Sequence, residues 1–384
     1  MGNRVTIYDK KVAADCTLPI LTSSKTNGIE YQSDHFGREQ NHDIDGYNVL
    51  PRGYATYRNR SDNRDFTFNI NNICDEGIIS KFYPVFTSYN CDLIFLIYLL
   101  NNSPSIVKEI GYTAIGTGQK VLSISDFKSI KVFIPDIKEQ QKIADFLSAV
   151  DEVIAQSEAE AQNLEQQKKA AMQKIFSQEV RFKREDGTKY PEWEEDTIGN
   201  CVNVTSCKRV HQSDWTDSGV PFYRAREIVA LYNNEPITPL HISIEKYNAL
   251  SKISGMISSG DLLVTGVGTI GVPYLVKESD KFYFKDGNII WFQNEEKRAL
   301  GSFLYYTLST NEFQTKILQD SGKGTVHTFT IANAKETIIA IPCLEEQRKI
   351  ADFLSAYDEA ISYAKQELDK WKELKKGLLQ QMFV

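Results

Sequence analysis

A helix-forming stretch occurs twice in this sequence, and the repeat limits the possible folds more than any other feature. Residues 134–154 read IPDIKEQQKIADFLSAVDEVI, and residues 341–361 read IPCLEEQRKIADFLSAYDEAI. Fifteen of these 21 positions are identical, and sparser matches at the same offset of 207 residues continue to Phe176 and Phe383. Because 207 residues far exceed a solenoid repeat, the pattern indicates a duplicated domain unit.

Each copy of the repeat predicts one long helix. Pro135 and Pro342 stand just before the helix start, where proline is well tolerated. Asp136 followed by Glu139 fits a capping box, whereas Cys343 in the second copy predicts a weaker cap. The second copy carries a coiled-coil seam, and the seam of the first copy is weaker between residues 156 and 167. We predict that the two helices pack antiparallel about a pseudo-twofold axis. The apolar residues of the second seam are Ile350, Leu354, Tyr357, Ile361, Ala364, Leu368, Trp371, Leu378 and Met382.

The segments before the two helices also correspond, although more weakly. Residues 46–60 and 258–276 each predict a strand, a glycine turn and another strand. Residues 116–135 and 322–342 each predict a glycine loop, a strand, a helical turn and a strand ending at proline. The fold class predicted is therefore α/β (α+β), with two domains built on twisted mixed sheets and joined by the two helices. The boundaries predicted are a first domain over 1–133, a first helix over 134–178, a linker over 179–195, a second domain over 196–340 and a second helix over 341–384.

The two copies differ at their starts. The second domain opens with the stretch 190–199, and nothing equivalent precedes Met1 in this sequence. Residues 3–11 align best with residues 202–210, so the first domain is predicted to lack an opening helix-sized piece. We therefore expect its closure against the C-terminal end of the chain to be altered.

Composition excludes several classes of protein. The apolar run 93–100 is too short to cross a membrane and predicts a buried helix, and the N-terminus lacks the apolar core of a signal peptide. The six cysteines and five histidines show no ligand spacing, which argues against disulfides and a metal site. These features predict a cytoplasmic protein. The net charge is −7, but residues 1–133 hold 14 basic against 14 acidic residues and residues 196–340 hold 14 against 15, so basic faces remain possible.

Motifs that could carry catalysis have better structural explanations. Residues 266–271 match GxGxxG, but the following VPYLV predicts a strand rather than the helix that a dinucleotide site needs, so a glycine hairpin is favoured. Asp286 with Glu295 and Lys297 superficially resembles a nuclease set, although Asp286 begins a turn sequence. The sequence has no phosphate loop and no Asn-Pro-Pro or Asp-Pro-Pro motif of amino-methyltransferases. We therefore predict no catalytic residues.

Basic residues interleave with tyrosine and glycine in both domains. Such groups can bind phosphates and reach base edges, although solvated loops with ordinary surface pairs explain each residue about as well. Their occurrence at comparable places in both domains favours DNA binding for the set. The candidate DNA contacts are Ser24, Lys25, Arg58, Arg60, Arg64, Lys120, Lys208, Arg209, Arg224, Arg226, Lys323 and His327.

The pattern Ile-Pro-x-x-x-Glu-Gln-x-x-Ile-Ala-x-Phe-Leu-Ser, present at 134–148 and 341–355, resembles the conserved-helix signature of specificity (S) subunits of Type I restriction–modification enzymes. PEWEEDTIG at 191–199 resembles the opening of their second target recognition domain. LTSSKTNG at 21–28 and LPRGYATYRNRSD at 50–62 resemble one recurrent type of that domain. The resemblance covers nearly the whole chain.

This resemblance implies a division of labour between the chain and its partners. Each α/β domain would read one half of a bipartite, asymmetric target in double-stranded DNA. The helices would fix the half-site spacing and dock two methyltransferase subunits, through which motor–nuclease subunits would join. S-adenosylmethionine, Mg and ATP would bind those partners, and this chain would be non-catalytic. The alternatives are a coiled-coil adaptor that binds only protein, a nuclease using Asp286 and Glu295, and the specificity chain of a related restriction–methylation enzyme.

Overall fold

The computed structural model describes residues 1–38, 43–116, 118–294, 298–320 and 328–383. The chain divides into two compact units. Unit 1 comprises Met1–Ala159 and Lys365–Val384, and unit 2 comprises Glu160–Ala364. Each unit therefore contains part of both long helices, which are α5 (Ile137–Phe176) and α12 (Leu344–Met382). Among the described residues, no helix is long and apolar enough to span a membrane.

Unit 1 is built from short strands followed by helices. The strands are β1 (Val5–Tyr8), β2 (Leu21–Ser24), β3 (Gly28–Tyr31), β4 (Asn48–Pro51), β5 (Ala55–Tyr57), β6 (Arg60–Ser61), β7 (Phe68–Ile70), β8 (Glu76–Ile79), β9 (Val85–Ser88) and β10 (Lys120–Val121). The helices before α5 are α1 (Gln32–Phe36), α2 (Leu93–Asn102), α3 (Pro104–Thr113) and α4 (Ile124–Ser129).

The core of unit 1 lies between a four-stranded antiparallel sheet and its helices. The strand order is β1-β9-β5-β7, and β4–β8, β2–β3 and β6–β10 form separate antiparallel pairs. Tyr57 and Phe68 from the sheet pack on Phe127 of α4, with ring centroids 5.2 and 5.4 Å away. Helix α2 confirms the predicted buried helix, and its Phe95 packs on Phe383, 5.9 Å away. The C-terminal turn of α12 thus completes the core of unit 1.

Unit 2 has ten strands among its described residues, as unit 1 has, and includes a mixed sheet. Its strands are β11 (Glu194–Thr197), β12 (Asn203–Thr205), β13 (Trp215–Thr216), β14 (Val220–Tyr223), β15 (Leu240–Ile242), β16 (Leu262–Thr265), β17 (Pro273–Leu275), β18 (Tyr283–Phe284), β19 (Ile289–Gln293) and β20 (Ile338–Ile341). Its helices are α6 (Ile198–Cys201), α7 (Ala225–Tyr232), α8 (Ile244–Ser254), α9 (Gly301–Leu308), α10 (Asn311–Asp320) and α11 (Ile331–Glu336), with a 3-10 turn at Gln212–Asp214.

The sheets of unit 2 include the mixed pairing that the sequence predicts. One sheet runs β12-β19-β16-β17 and is antiparallel, and the other runs β13-β15-β14-β18 with β14 parallel to β18. Strands β16 and β17 form the glycine hairpin predicted over 262–275, so the dinucleotide-site alternative is excluded. Between the layers, Trp291 donates its indole N–H to the buried carboxylate of Asp261 at 2.8 Å.

The long helices run antiparallel to each other within each unit. In unit 1, Asp151 and Glu158 of α5 form ion pairs with Lys375 and Lys372 of α12. Residue numbers therefore rise along one helix as they fall along the other. In unit 2, Lys168 of α5 pairs with Asp358 of α12, which continues the trend of rising numbers on α5 and falling numbers on α12. The predicted N-cap of α5 is confirmed, because the Asp136 carboxylate accepts hydrogen bonds from the N–H groups of Lys138 and Glu139 at 2.9 and 3.1 Å.

Two strand predictions need correction. The strands predicted within 46–60 form as β4 and β5, but β4 pairs with β8 and β5 with β7 and β9, so they are no hairpin. The strand predicted before Pro135 does not form, whereas its counterpart β20 pairs with β11. Among the described residues of unit 1, no strand pairs with residues 131–134 in this way, and the side chain of Phe133 is 95% exposed.

The starts of the two units correspond in a register that differs from the sequence alignment. The Met1 nitrogen donates to the Ile130 carbonyl, as the Ile198 N–H donates to the Thr337 carbonyl. Residues 1–2 thus take the place of Ile198 and Gly199, two residues away from the register predicted. Among the described residues of unit 1, no strand corresponds to β11, so the element without a counterpart at this start is a strand rather than the helix-sized piece predicted.

Candidate nucleic-acid interface

In unit 1, several predicted contacts gather around residues 58–65, which we call the 58–65 segment. It lies between β5 and β7 and includes β6, whose Arg60 stands opposite Val121 of β10. The Asn59 N–H donates to the Phe82 carbonyl, and the Leu122 N–H donates to the Asn59 carbonyl, both at 2.9 Å. These backbone bonds hold the segment in place, so the arginines on it extend from an ordered support.

Arg58, Arg60 and Arg64 are all exposed. The Arg60 guanidinium lies over the Phe82 ring, 4.1 Å from its centroid, which orients the group while leaving its N–H donors available. Arg64 occupies a left-handed turn with φ of 64°. In the part of the chain that the structure describes, none of these three arginines forms an ion pair with a carboxylate. Three guanidinium groups without an ion pair among the described residues therefore lie within seven residues, on a segment that also carries Asp62 and Asp65.

The neighbouring candidates approach the same segment. Lys25, at the tip of the β2–β3 hairpin, forms an ion pair with Asp65. The Ser24 hydroxyl donates to Glu30 and accepts from the Asn27 N–H, both at 3.0 Å, so it shapes the hairpin tip. Lys120 lies on β10 beside β6, and its ammonium group donates to the Gly116 carbonyl. The structure thus brings the six candidates of unit 1 to one region, with Ser24, Lys25 and Lys120 already engaged in internal contacts.

In unit 2 the candidate basic residues have carboxylate partners more often. Arg209 is exposed and donates from Nε to Asp286 at 2.9 Å. The Lys208 side chain is exposed, and its backbone is fixed because its N–H donates to the Tyr283 hydroxyl at 2.9 Å. Asp286, the first member of the nuclease-like set, is thus engaged by Arg209. Glu295, Lys297, Lys323 and His327 lie outside the residues that the structure describes.

Arg224 and Arg226 share one buried carboxylate at the start of α7. Arg224 donates from Nη2 to Glu227 at 2.8 Å, and Arg226 donates from Nε at 2.6 Å. Burial favours the neutral acid, but hydrogen bonds from the two arginines outweigh it and keep the pKa of Glu227 below its ordinary value. Glu227 therefore stays ionised. The Arg224 side chain is 23% exposed and the Arg226 side chain 66%, so Arg226 is the more accessible of the two.

The two copies of the repeat also contain polar residues with specific contacts, and these were not among the predicted site residues. Gln140 and Gln347 are buried although they are polar, and both copies have aspartate 11 residues later, Asp151 and Asp358. Each aspartate binds a tyrosine of its own unit and a lysine of the other helix. The identity of the glutamine and the aspartate in both copies could have indicated them, because polar residues that a repeat preserves often have specific partners. No cluster of His, Cys, Asp and Glu suited to a metal occurs in the described part of the chain.

Comparison with known proteins identifies the family. The model of the Type I restriction modification DNA specificity domain matches the chain twice, over residues 6–166 and 190–372. These matches cover most of the chain, which therefore belongs to this family of DNA specificity subunits, as its helix motifs predict.

Individual relatives agree with this assignment. The Type I restriction enzyme MjaVIII specificity subunit of Methanocaldococcus jannaschii is 25% identical over 306 residues, which are 75% of this chain and 68% of that protein. The putative type I restriction enzyme specificity subunit S.HindORF215P of Haemophilus influenzae is 27% identical over 162 residues, 42% of this chain and 39% of the relative. The crystal structure of a Type-I restriction-modification S subunit from M. genitalium has the same fold, with a TM-score of 0.61 at 15% identity, covering 99% of this chain and 94% of the other.

Proposed function

We propose that this chain reads one bipartite, asymmetric sequence in double-stranded DNA on behalf of a Type I restriction–modification complex. Each unit contacts one half of the target, and the long helices set the half-site spacing and dock two methyltransferase subunits. Motor–nuclease subunits join through those. The chain itself is non-catalytic, and S-adenosylmethionine, Mg and ATP are bound by the partners. Family membership and the duplicated helix support this proposal.

The observation that carries the proposal is the arginine group of the 58–65 segment. Like charges along one short segment repel each other, and no carboxylate of the described chain forms an ion pair with Arg58, Arg60 or Arg64, although Asp62 and Asp65 belong to the same segment. DNA phosphates are suitable partners, because a guanidinium group donates two parallel hydrogen bonds to an anionic oxygen pair. Arg60, held over Phe82, is oriented before DNA arrives. The segment therefore suits contact with DNA phosphates through Arg58 as well as Arg60.

Unit 2 supports the same function with a different charge arrangement. Lys208 is exposed, and Arg209 and Arg226 keep most of their side chains accessible despite their carboxylate partners. The pair of the exposed Arg209 with Asp286 is worth little in free energy, so a phosphate can compete for Arg209. The Arg226 side chain is 66% exposed and can contact a phosphate while it keeps its bond to the buried Glu227. Two unlike basic faces on a duplicated scaffold are consistent with an asymmetric target.

The test compares Arg58→Ala, Arg224→Ala and the control Arg52→Ala in the complex assembled with its methyltransferase subunits. Binding to the cognate duplex is titrated against salt. Arg58→Ala should weaken binding and lower the slope of log affinity against log salt by about 1, because one phosphate contact is lost. Arg224→Ala should weaken binding as well. Arg52, whose Nε already binds Asp75 at 2.9 Å, should change neither quantity.

Unchanged affinity and slope in both Arg58→Ala and Arg224→Ala would contradict these assignments. Mapping methylated adenines in host DNA that carries the chain and its partners gives the target. If the assembled wild-type complex shows no sequence-dependent gel shift, the protein-only adaptor is the better explanation. Metal-dependent cleavage by the isolated chain would instead support the nuclease alternative.

A further inference from the structure

A polar cluster in unit 1 joins helices α2, α5 and α12. Its residues are separate in sequence from the candidate DNA contacts. The Tyr98 hydroxyl of α2 donates to Asp151 Oδ2 of α5 at 2.5 Å. The other oxygen of Asp151 forms an ion pair with Lys375 of α12, whose ammonium group lies 5.9 Å from the centroid of the Tyr98 ring. A recognition-domain helix, one long helix and the other long helix therefore meet at a single carboxylate.

Unit 2 contains the same cluster with the roles of the two long helices exchanged. The Tyr306 hydroxyl of α9 donates to Asp358 Oδ2 of α12 at 2.7 Å. Lys168 of α5 lies 2.5 Å from the other oxygen of Asp358 and 5.2 Å from the centroid of the Tyr306 ring. The aspartates and lysines of the two clusters differ by 207 residues, the offset of the repeat, and the tyrosines by 208. The duplication has thus preserved a three-residue arrangement.

A buried glutamine makes a second connection between the same elements. Gln140 accepts the Asp92 N–H at 2.9 Å, and Gln347 accepts the Leu300 N–H at 2.8 Å. Each acceptor side chain also donates to the carbonyl of the proline that precedes its own helix, at 2.8 Å in both units. Asp92 and Leu300 are the N-cap residues of α2 and α9 and, like the tyrosines, differ by 208 residues.

Two connections locate a helix more completely than one. The glutamine and the aspartate stand 11 residues apart in each copy, or about 16 Å along the helix axis. The apolar seam between the long helices permits several registers, because a seam of similar side chains still packs after a shift of one heptad. A polar contact that needs one partner at one position removes those alternatives. Neither cluster is fully exposed, with Lys168 at 19% and Lys375 at 28%, so solvent replaces these contacts poorly.

We propose that Tyr98–Asp151–Lys375 and Tyr306–Asp358–Lys168 are positioning elements that determine target-spacing selectivity. Each fixes the place at which its recognition domain attaches along the helices and the register of the helices at that place. This inference rests on the proposed function, in which the helices set the half-site spacing. Loss of a cluster widens the range of spacings accepted and leaves the choice of half-site bases unchanged.

The experiment uses the chain assembled with its methyltransferase subunits. Methylation is measured on three duplexes that carry the natural half-sites with the natural spacer, one base pair more and one base pair less. The variants are Tyr98→Phe, Asp151→Asn and the exchange Asp151→Lys with Lys375→Asp. The control is Lys372→Ala, which removes a helix-surface pair with Glu158 that involves no tyrosine.

The expected result is a fall of about tenfold in the preference for the natural spacer in Asp151→Asn, equivalent to about 1.4 kcal/mol, with a smaller fall in Tyr98→Phe. The charge exchange should restore part of the preference, and Lys372→Ala should keep it. A purely structural role predicts equal loss on all three duplexes, and that outcome, or an unchanged preference in folded variants, overturns the proposal. Absence of sequence-dependent methylation by the wild-type complex would reject the proposed function instead.

Discussion

The two units are alike where they meet the long helices and unlike where they present basic residues. Each repeats the buried glutamine, the tyrosine–aspartate–lysine cluster and a leucine, Leu147 or Leu354, that has no exposed surface. By contrast, Arg58, Arg60 and Arg64 of unit 1 have no carboxylate partner among the described residues, while Arg209 and Arg224 of unit 2 have one. The residues repeated in both copies therefore lie at the helix contacts, where we propose that the domains are positioned.

This difference has a physical basis. A residue at the helix contact is constrained by partners on two or three elements at once, so both copies need the same side chain. A residue on a loop is constrained mainly by its external partner, and the two halves of an asymmetric target present different partners. The candidate arginines of unit 2 bind carboxylates, whereas Arg58, Arg60 and Arg64 form no ion pair among the described residues, so the two faces should differ in how binding depends on salt.

Truncation of the equivalent buried leucines tests the likeness and should have the largest effect. Leu147→Ala and Leu354→Ala should each lower the free energy of unfolding by about 3–4 kcal/mol, because each removes a fully buried side chain and leaves a cavity. Urea denaturation gives the loss, and amide hydrogen exchange resolved by peptide assigns it to the unit that carries the change. Leu374→Ala, at an exposed leucine on α12, should alter stability by less than about 0.5 kcal/mol. A near-neutral result at only one of the two buried sites would show that the helix contacts are not equivalent.

Glu346 and Glu139 are equivalent in the repeat, yet their surroundings differ. Glu346 is 1% exposed, binds Arg181 at 2.9 Å and accepts the Trp193 indole N–H at 3.1 Å, whereas Glu139 is exposed. The hydrogen bond to Glu346 raises the pKa of Arg181. Glu346→Gln should cost about 2–3 kcal/mol, because it breaks a buried pair while Arg181 keeps its contact with Glu192. Glu139→Gln is the matched control and should change stability by less than about 0.5 kcal/mol in the same denaturation experiment. Equal effects of the two substitutions would mean that the contacts of Arg181 and Trp193 add nothing to unit 2.

Much of the fold could be predicted from the repeat and from local sequence patterns. Both long helices, the buried helix over 93–100 and the glycine hairpin over 262–275 follow from local patterns, and the structure contains each of them. Strand pairing was harder to predict, because the partner of a strand is distant in sequence. The 131–134 segment has strand-forming residues, but it lacks a partner equivalent to β11, so its pattern alone was misleading.

The candidate DNA contacts could be predicted only as residue types. Sequence predicts that arginine near a glycine turn is accessible, but not which carboxylate lies beside it. Glu227 illustrates this, because its burial and its bonds to Arg224 and Arg226 depend on the packing of α7. The tyrosines of the helix clusters were equally hidden, because Tyr98 and Tyr306 lie outside the repeated motif and shift by one residue relative to it.

The dependence of stability on pH tests the arginine–carboxylate contacts of unit 2, and we expect this effect to be the smallest of the three. The arginines lower the pKa of Glu227 below its ordinary value of 4.5, so the folded state binds fewer protons at this site than the unfolded state does. Its contribution to stability is therefore present above about pH 4.5 and is lost as pH falls through the lower folded value. Glu227→Gln should cost about 1–2 kcal/mol at neutral pH, because hydrogen bonds to a charged acceptor are weakened.

That cost should shrink as the pH falls from about 4.5 through the lower folded pKa of Glu227, because the unfolded chain is protonated first and the folded wild-type carboxylate only at lower pH. Urea denaturation of both proteins from neutral to acid pH, with hydrogen exchange reporting unit 2 separately, measures the convergence. The control is Glu278→Gln at an exposed carboxylate in the same unit. A constant difference between wild type and Glu227→Gln at every pH would show that the ionised form is not what Arg224 and Arg226 stabilise. The basic residues of the two units would then differ in their contacts and not in the ionisation that those contacts stabilise.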